Sequence, residues 1–462
     1  MNKEKYLLLT IAIGMMLLIS SCKKSFYTDA NINKNVPPYV APRDLLPPIE
    51  VNIGNNQGGN LGISYFTSLF TQQTAGITTA AIQYYNYTFT ETNFESSWSG
   101  CYISCMENCK NYIQVSDAGN YYGHSGIGRI LLAYELQTTV DCWGNIPYSQ
   151  AFQGTANINA KYDTDVSVYT TITQLVYDGI NKLNQNAQSL AGNQPGAEDF
   201  IYKGNMAEWI KFGNAILARI FIHQSKGNAA MADSAMAHAS LSFAGNADNA
   251  RLVYTSPTTF CPWYNTAIGH TLYYAYLNYP TPTTFGGMLS SSNDPRYSVL
   301  IDSIAEVNTQ NGLAAYYGSQ SSPIEFITYD EMQYVIAEAN IRISNSVNAA
   351  AQTAFANALN ANMSKFGIAF PADSSYLAQH GTITGATVAG ALDSIGYQEY
   401  ISLYLNPEAW TSWRRFGYPV LNPAAGTNGV PRRFLYPQTE YSYNSANTPA
   451  STLWLPKLFW DN

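Results

Sequence analysis

Charge is scarce in this chain. Only 12% of its residues are Asp, Glu, Lys or Arg, about half the ~25% of an average soluble domain. Basic residues are the rarer sign, 23 against 31 acidic ones, giving a net charge of −8. Nucleic-acid binding needs a basic footprint, so that class is excluded. Low charge beside a 46% hydrophobic fraction also excludes intrinsic disorder, which needs the opposite balance. Histidine numbers five, His124, His223, His238, His270 and His380, and none sits in His-Glu-x-x-His, which excludes a zincin. No P-loop occurs. Gly123-His124-Ser125-Gly126-Ile127-Gly128 fails the nucleophile-elbow pattern because Ile127 stands where the second glycine belongs, and it reads as a helix start. Asp29-x-Asn31-x-Asn33 opens like a calcium loop, but Lys34 and Val40 replace its glycine and closing glutamate. No metal or other cofactor is therefore expected. The carboxylate pairs Asp163/Asp165, Glu198/Asp199 and Asp330/Glu331 read as solvated or capping pairs.

Long apolar runs are missing except at the start, where Lys3 and Lys5 precede Leu7–Ile19. That run is shorter than the ~20 residues of a membrane span and fits the core of a signal peptide. It closes in Ile19-Ser20-Ser21-Cys22, which resembles a bacterial lipobox. We expect a lipoprotein signal peptide over 1–21, acylation of Cys22, and attachment to the membrane through that lipid. Residues 22–60, rich in Asn, Pro and Gly, read as a tether and extended arm, with the main domain over 61–462. Cysteine is also scarce. Cys101, Cys105 and Cys109 lie one helical turn apart, with Cys142 and Cys261 elsewhere. No His stands at zinc-ligand spacing, so the triple reads as small buried residues on one helix face.

What the chain does have is helical periodicity and tyrosine. Apolar residues recur every three to four positions over 91–116, 125–140, 165–190, 206–223 and 329–344, and further helices are expected over 349–366, 386–405 and 407–416. Thr328-x-x-Glu331 has the pattern of a capping box, and Asn406-Pro407 that of an N-cap followed by proline. The fold class is mainly α. Segments 245–325 and 417–462 lack helical period and are dense in Tyr, Pro, Gly and Asn, as long functional loops are. The chain holds 36 Tyr, and an aromatic face stacks on uncharged polar ligands. Tyr84, Tyr85 and Tyr87 form one cluster. Trp263, Tyr264, Tyr273, Tyr274, Tyr276 and Tyr279 form a second, and Tyr316-Tyr317 a third. The first two are the candidate ligand-binding residues; no catalytic residue is assigned.

Several strings resemble the SusD/RagB family of outer-membrane nutrient-binding lipoproteins. They are Trp143-Gly144-Asn145-Ile146-Pro147-Tyr148-Ser149; Trp209-Ile210-Lys211-Phe212-Gly213-Asn214 with Arg219; Asp294-Pro295-Arg296; Thr328 to Ala339; Glu408 to Arg415; and Pro431-Arg432-Arg433-Phe434-Leu435-Tyr436-Pro437-Gln438-Thr439-Glu440. At the end, Leu458-Phe459-Trp460-Asp461 departs from the family's usual Trp-Trp-Asp. The resemblance implies a scaffold of tetratricopeptide-like helix pairs with a large, irregular, loop-rich face. It also implies a surface-exposed outer-membrane location and a SusC-like TonB-dependent transporter as partner. The implied function is non-catalytic capture of glycans, or of oligopeptides, for that transporter. Two alternatives stand beside it: a surface-anchored glycosidase or peptidase, and a structural transporter lid without its own ligand affinity. Within the motifs, Arg432 and Arg433 are expected to fork onto Glu338 or Glu408. Trp98 and Tyr102, a helical turn apart, are expected in the core.

Overall fold

The computed structural model describes residues 40–59, 61–76, 79–190, 192–255, 259–266, 275–276, 285–302, 312–368 and 370–461. The chain divides between Ala41 and Pro42, and its described helices and strands belong to the unit from Pro42 onward. Helices of eight residues or more carry the labels α1 (Pro42–Gly58), α2 (Ile63–Phe70), α3 (Glu107–Ala118), α4 (Tyr122–Trp143), α5 (Asp165–Asn184), α6 (Met206–His223), α7 (Ala229–Ser240), α8 (Tyr329–Ser344), α9 (Ala349–Lys365), α10 (Phe370–His380), α11 (Val388–Ser402) and α12 (Glu408–Phe416). The longest strands, β1 (Ala250–Val253) and β2 (Pro323–Ile327), pair antiparallel with Leu252 opposite Ile324. The class is mainly α, as the periodicity predicts. Chain neighbours pack as antiparallel pairs, α4 on α5, α6 on α7 and α8 on α9, and α7 also packs on α8. This is the tetratricopeptide-like arrangement.

Short polar residues start these helices. Thr164 accepts the Ser167 amide at 3.2 Å and Asn348 the Ala351 amide at 2.8 Å. Each satisfies a donor with no partner inside its helix. Asn406 caps α12 by accepting the Glu408 amide at 3.0 Å. The expected box at α8 is absent, because Glu331 turns inward to Arg219. The segment over 91–116 is helical but not uniform, with a π-helical stretch at Gly100–Met106 that leads into α3. Cys101, Cys105 and Cys109 fall on its buried face, and burial pushes all three thiols well up.

The arm expected as extended over 22–60 is corrected in part, since α1 occupies 42–58. Leu46, Ile49, Ile53 and Gln57 make one buried stripe at helical spacing. The glycines that look like linker residues are contact points. A Cβ on Gly54 would lie 2.7 Å from the Tyr254 hydroxyl and 2.8 Å from Leu252, and one on Gly58 would lie 2.5 Å from Ile324. The helix thus needs bare backbone to lie against β1 and β2. The two long segments expected as loops are likewise punctuated by short elements, including Phe285–Ser291, Ala315–Gly318 and Gln438–Tyr443.

The core is aromatic around Phe434, which stacks on Phe94 at 4.6 Å and on Trp410 at 5.5 Å and meets Trp143 edge-on at 5.0 Å. Trp98 and Tyr102 pack against this core as expected. Beside it lies a buried ionic layer. Arg219 pairs with Glu331 at 2.7 Å, and Arg415 with Glu338 at 3.0 Å and Glu399 at 3.2 Å. The expected partners of Arg432 and Arg433 are corrected here. Arg432 binds Asp461, and Arg433 donates to the carbonyls of Trp143, Phe434 and Pro456. Asp330 and Glu331 are buried rather than solvated. Asp330 is paired with Lys365 at 3.1 Å and held low by it against the cost of burial. Asp199 is buried too, accepting three backbone amides and the Trp209 indole at 2.7 Å.

Candidate ligand-binding site

The aromatic residues singled out by the sequence separate into three groups. Trp263 is 2% exposed, on the short turn Pro262–Tyr264, and it faces inward beside Gly58. Gly58 of α1 makes room for it, since a Cβ there would lie 3.3 Å from the indole. Tyr87 is 5% exposed and accepts a hydrogen bond from Gln72 at 3.3 Å; burial lifts its hydroxyl to about 12. Tyr84 stacks on Phe89 at 5.1 Å and accepts from Asn93 at 3.2 Å. These three are packing residues, and Trp263 and Tyr87 offer no free face. Tyr85 and Tyr264 are half-buried at the edge of the core, Tyr264 accepting from Gln320 at 3.2 Å. The backbone of Tyr276 pairs with Ala75, while Tyr273, Tyr274 and Tyr279 lie outside the described residues. Of the third cluster, Tyr316 and Tyr317 both donate to Glu325, at 2.9 and 3.0 Å.

A cleft of about 350 Å³ opens instead between α10, α11 and the residues after α12. Its lining includes Gln379, His380, Asp393, Tyr397, Gln398 and Tyr418. The wall is a turn over 381–387, pinned from two sides. The Gln352 amide of α9 donates to the Gly381 carbonyl at 3.1 Å and accepts the Ile383 amide at 3.0 Å, so it acts as a strand partner for the turn. Ser394 of α11 donates to the Thr384 carbonyl at 2.8 Å and accepts the Thr384 amide at 3.2 Å. Gly385 has φ +123 and lies against Gly390, a conformation and a spacing that a side chain would not permit. Thr387 then caps α11 through the Gly390 amide at 3.1 Å.

Beneath the lining residue Gln398 lies the Asp-Pro-Arg motif. Arg296, fully buried, clasps Asp294 and donates to the Gln398 side-chain oxygen at 2.6 Å. Gln398 donates to the Tyr376 hydroxyl at 3.1 Å, and Tyr376 in turn donates to Asp294 at 2.7 Å. This chain of bonds fixes the Gln398 amide. Its nitrogen has two hydrogens and Tyr376 takes one. The His380 ring lies 4.3 Å from the Tyr376 ring, and burial holds the imidazole below its ordinary 6.5, so it is neutral at pH 7. Tyr397 and Tyr418 stand with ring centroids 6.5 Å apart at 57°. Tyr400, one turn of α11 beyond Tyr397, is buried in the core, and burial pushes its hydroxyl well up.

One buried trio, Asp141, His223 and Glu408, has metal-competent atoms within 4.8 Å of one another. Its imidazole is already engaged on both sides, by Tyr169 at 2.9 Å and Glu408 at 2.8 Å. Burial pushes His223 down to about 3, and the guanidinium groups of Arg415, Arg219 and Arg414 push the same way. Cations surround the trio, so it fits the ionic layer and not a metal site.

Residues 34–437 match the family model SusD-like, described as "Starch-binding associating with outer membrane". The chain belongs to this family. Among solved structures it is similar to a chitin-binding SusD homologue from Flavobacterium johnsoniae, with 18% identity, TM-score 0.72, and 91% of this chain and 97% of that one covered. A SusD/RagB family protein from Bacteroides thetaiotaomicron aligns at 21% identity and TM-score 0.70, covering 92% and 99%. A SusD homologue from Bacteroides fragilis aligns at 20% identity and TM-score 0.73, covering 92% and 99%. No curated protein matches the chain. Among the described residues, no helix is long and apolar enough to cross a membrane.

Proposed function

We propose that this protein is a cell-surface glycan-binding lipoprotein, anchored in the outer membrane through Cys22, that captures oligosaccharides and hands them to a SusC-like TonB-dependent transporter. The observation that carries the reading is a pre-formed cleft lined by Tyr397, Tyr418, hydrogen-bonding side chains and the single carboxylate Asp393, on the scaffold of a family described as starch-binding. Tyrosine rings stack on the C–H faces of sugar rings, and fixed amides and hydroxyls read the ring edges. Tyr85 and Tyr264, half-buried at the edge of the core, are further candidate platforms. The chitin-binding relative supports a polysaccharide ligand. The role is binding and not hydrolysis: glycoside hydrolysis uses two facing carboxylates, and among the described residues this cleft presents one, Asp393. Calorimetric titration with starch-derived and chitin-derived oligosaccharides and with a peptide panel tests the reading. Saturable glycan binding without turnover is expected. Binding of peptides alone, or release of reducing ends, would overturn it. Co-purification of a TonB-dependent barrel with the tagged lipoprotein tests the partnership.

A further inference from the structure

We infer that the cleft between α10 and α11 is selective for uncharged saccharides and excludes glycans bearing carboxylate or sulfate groups. The inference rests on the glycan-binding reading and deepens it. Asp393 is the one acidic residue in the lining, and no lining residue is Lys or Arg. Its carboxylate has no bonding or ionic partner among the described residues, so its acceptor sites are open to a ligand. Arg296, which holds Gln398 from beneath, is fully buried and paired with Asp294 at 2.6 Å, so it offers nothing to an anion in the cleft. His380 is neutral at pH 7 because burial disfavours its charged form.

Donors and acceptors then sort the ligand. Asp393 accepts only and therefore needs hydroxyl or amide N–H donors on its partner. Gln398 presents an amide hydrogen that is oriented by Arg296 and Tyr376. Tyr397 and Tyr418 supply the apolar contact. A neutral pyranose has this combination, with hydroxyls around its edge and C–H groups on its faces. A uronate or sulfated ring brings a second negative charge into a partly enclosed site. Two charges about 4 Å apart repel there several-fold more strongly than in water. At about 350 Å³ the cleft lies at the small end of ligand sites, so it seats a short stretch of chain and the charge of any acidic unit stays close to Asp393. The pinned turn keeps that distance from relaxing.

The test is calorimetry on the full-length lipoprotein in detergent, with maltoheptaose and chitohexaose as neutral probes and tetragalacturonate and a sulfated disaccharide as acidic ones. At least one neutral probe is expected to bind, with the acidic probes about ten-fold weaker or worse at low salt and the gap narrowing at high salt. Tyr418→Ala should weaken the neutral probe about ten-fold. Asp393→Asn should weaken it by less and bring the acidic probes closer. Thr382→Trp, at an exposed position of the turn, should block the cleft without touching the core. Circular dichroism confirms that each variant is folded. Acidic probes binding as well as neutral ones overturns the selectivity. Neutral binding that Tyr418→Ala, Asp393→Asn and Thr382→Trp all leave unchanged moves the site elsewhere and overturns this inference while the glycan reading stands. No binding of any saccharide overturns both.

Discussion

Glu135 sits on α4, buried, with the Asn56 amide donating to it at 2.9 Å and the thiols of Cys101 and Cys105 beside it. Burial dominates these favourable contacts and lifts its carboxyl from 4.5 to about 7. The folded state therefore holds a proton that the unfolded chain releases. The stability this gives is complete below pH 4.5 and is lost as pH rises through 7. The gap of 7 − 4.5 is worth about 3 kcal/mol at ~1.4 kcal/mol per pKa unit. Glu135→Gln keeps the neutral shape and cannot ionise. The variant should exceed the wild type by no more than about 1 kcal/mol at pH 5 and by about 3 kcal/mol at pH 8. Urea unfolding followed by tryptophan fluorescence at both pH values measures this. His124 and His223, which burial pushes down to about 4 and about 3, act in the opposite sense, weakening both proteins as pH falls below 6.5. They cancel in the difference between variant and wild type. A difference that is the same at pH 5 and pH 8 would refute the argument, because it would mean that Glu135 ionises as it does in water.

Trp263→Ala should lower stability by about 3–5 kcal/mol through the cavity it leaves, seen as a reduced urea midpoint, while calorimetry finds oligosaccharide affinity within two-fold of wild type. Arg415→Met strands Glu399 and leaves Glu338 with Arg342 alone, and should cost about 3–5 kcal/mol; Arg415→Met with Glu399→Met should recover much of that loss in the same unfolding assay. Cys22→Ala should abolish incorporation of labelled palmitate and release the protein from the membrane fraction, because the lipid supplies the membrane affinity.

The scaffold was legible because its signals are local. The sequence placed α4, α5, α6, α8, α9, α11 and α12 but not α7, and Thr164, Asn348 and Asn406 cap the helices that begin beside them. Signals that depend on what meets in space were not legible. Arg432 and Arg433 announce buried pairing, yet which carboxylate each meets is set by how distant segments converge, and Arg433 meets carbonyls instead. Gly54 and Gly58 look like a linker because a sequence does not distinguish glycine for flexibility from glycine for close approach; the contacts with Tyr254 and Ile324 decide it. Trp263 misleads for the same reason, since Gly58 makes room for it. The cleft was missed because its parts are unremarkable singly. His380 ends one helix, Asp393, Tyr397 and Gln398 lie along the next, and Tyr418 comes after a third. No spacing rule joins them. What joins them is Arg296 of the Asp-Pro-Arg motif, which the sequence did mark. By holding Gln398 and closing the Tyr376–Asp294 chain beneath it, this motif fixes one lining residue of the cleft. The buried network thus ends at Gln398, and the cleft side chains above it, on α11 and after α12, stand outside the ionic core, so on the proposed reading they can be exchanged to change ligand preference without disturbing that core.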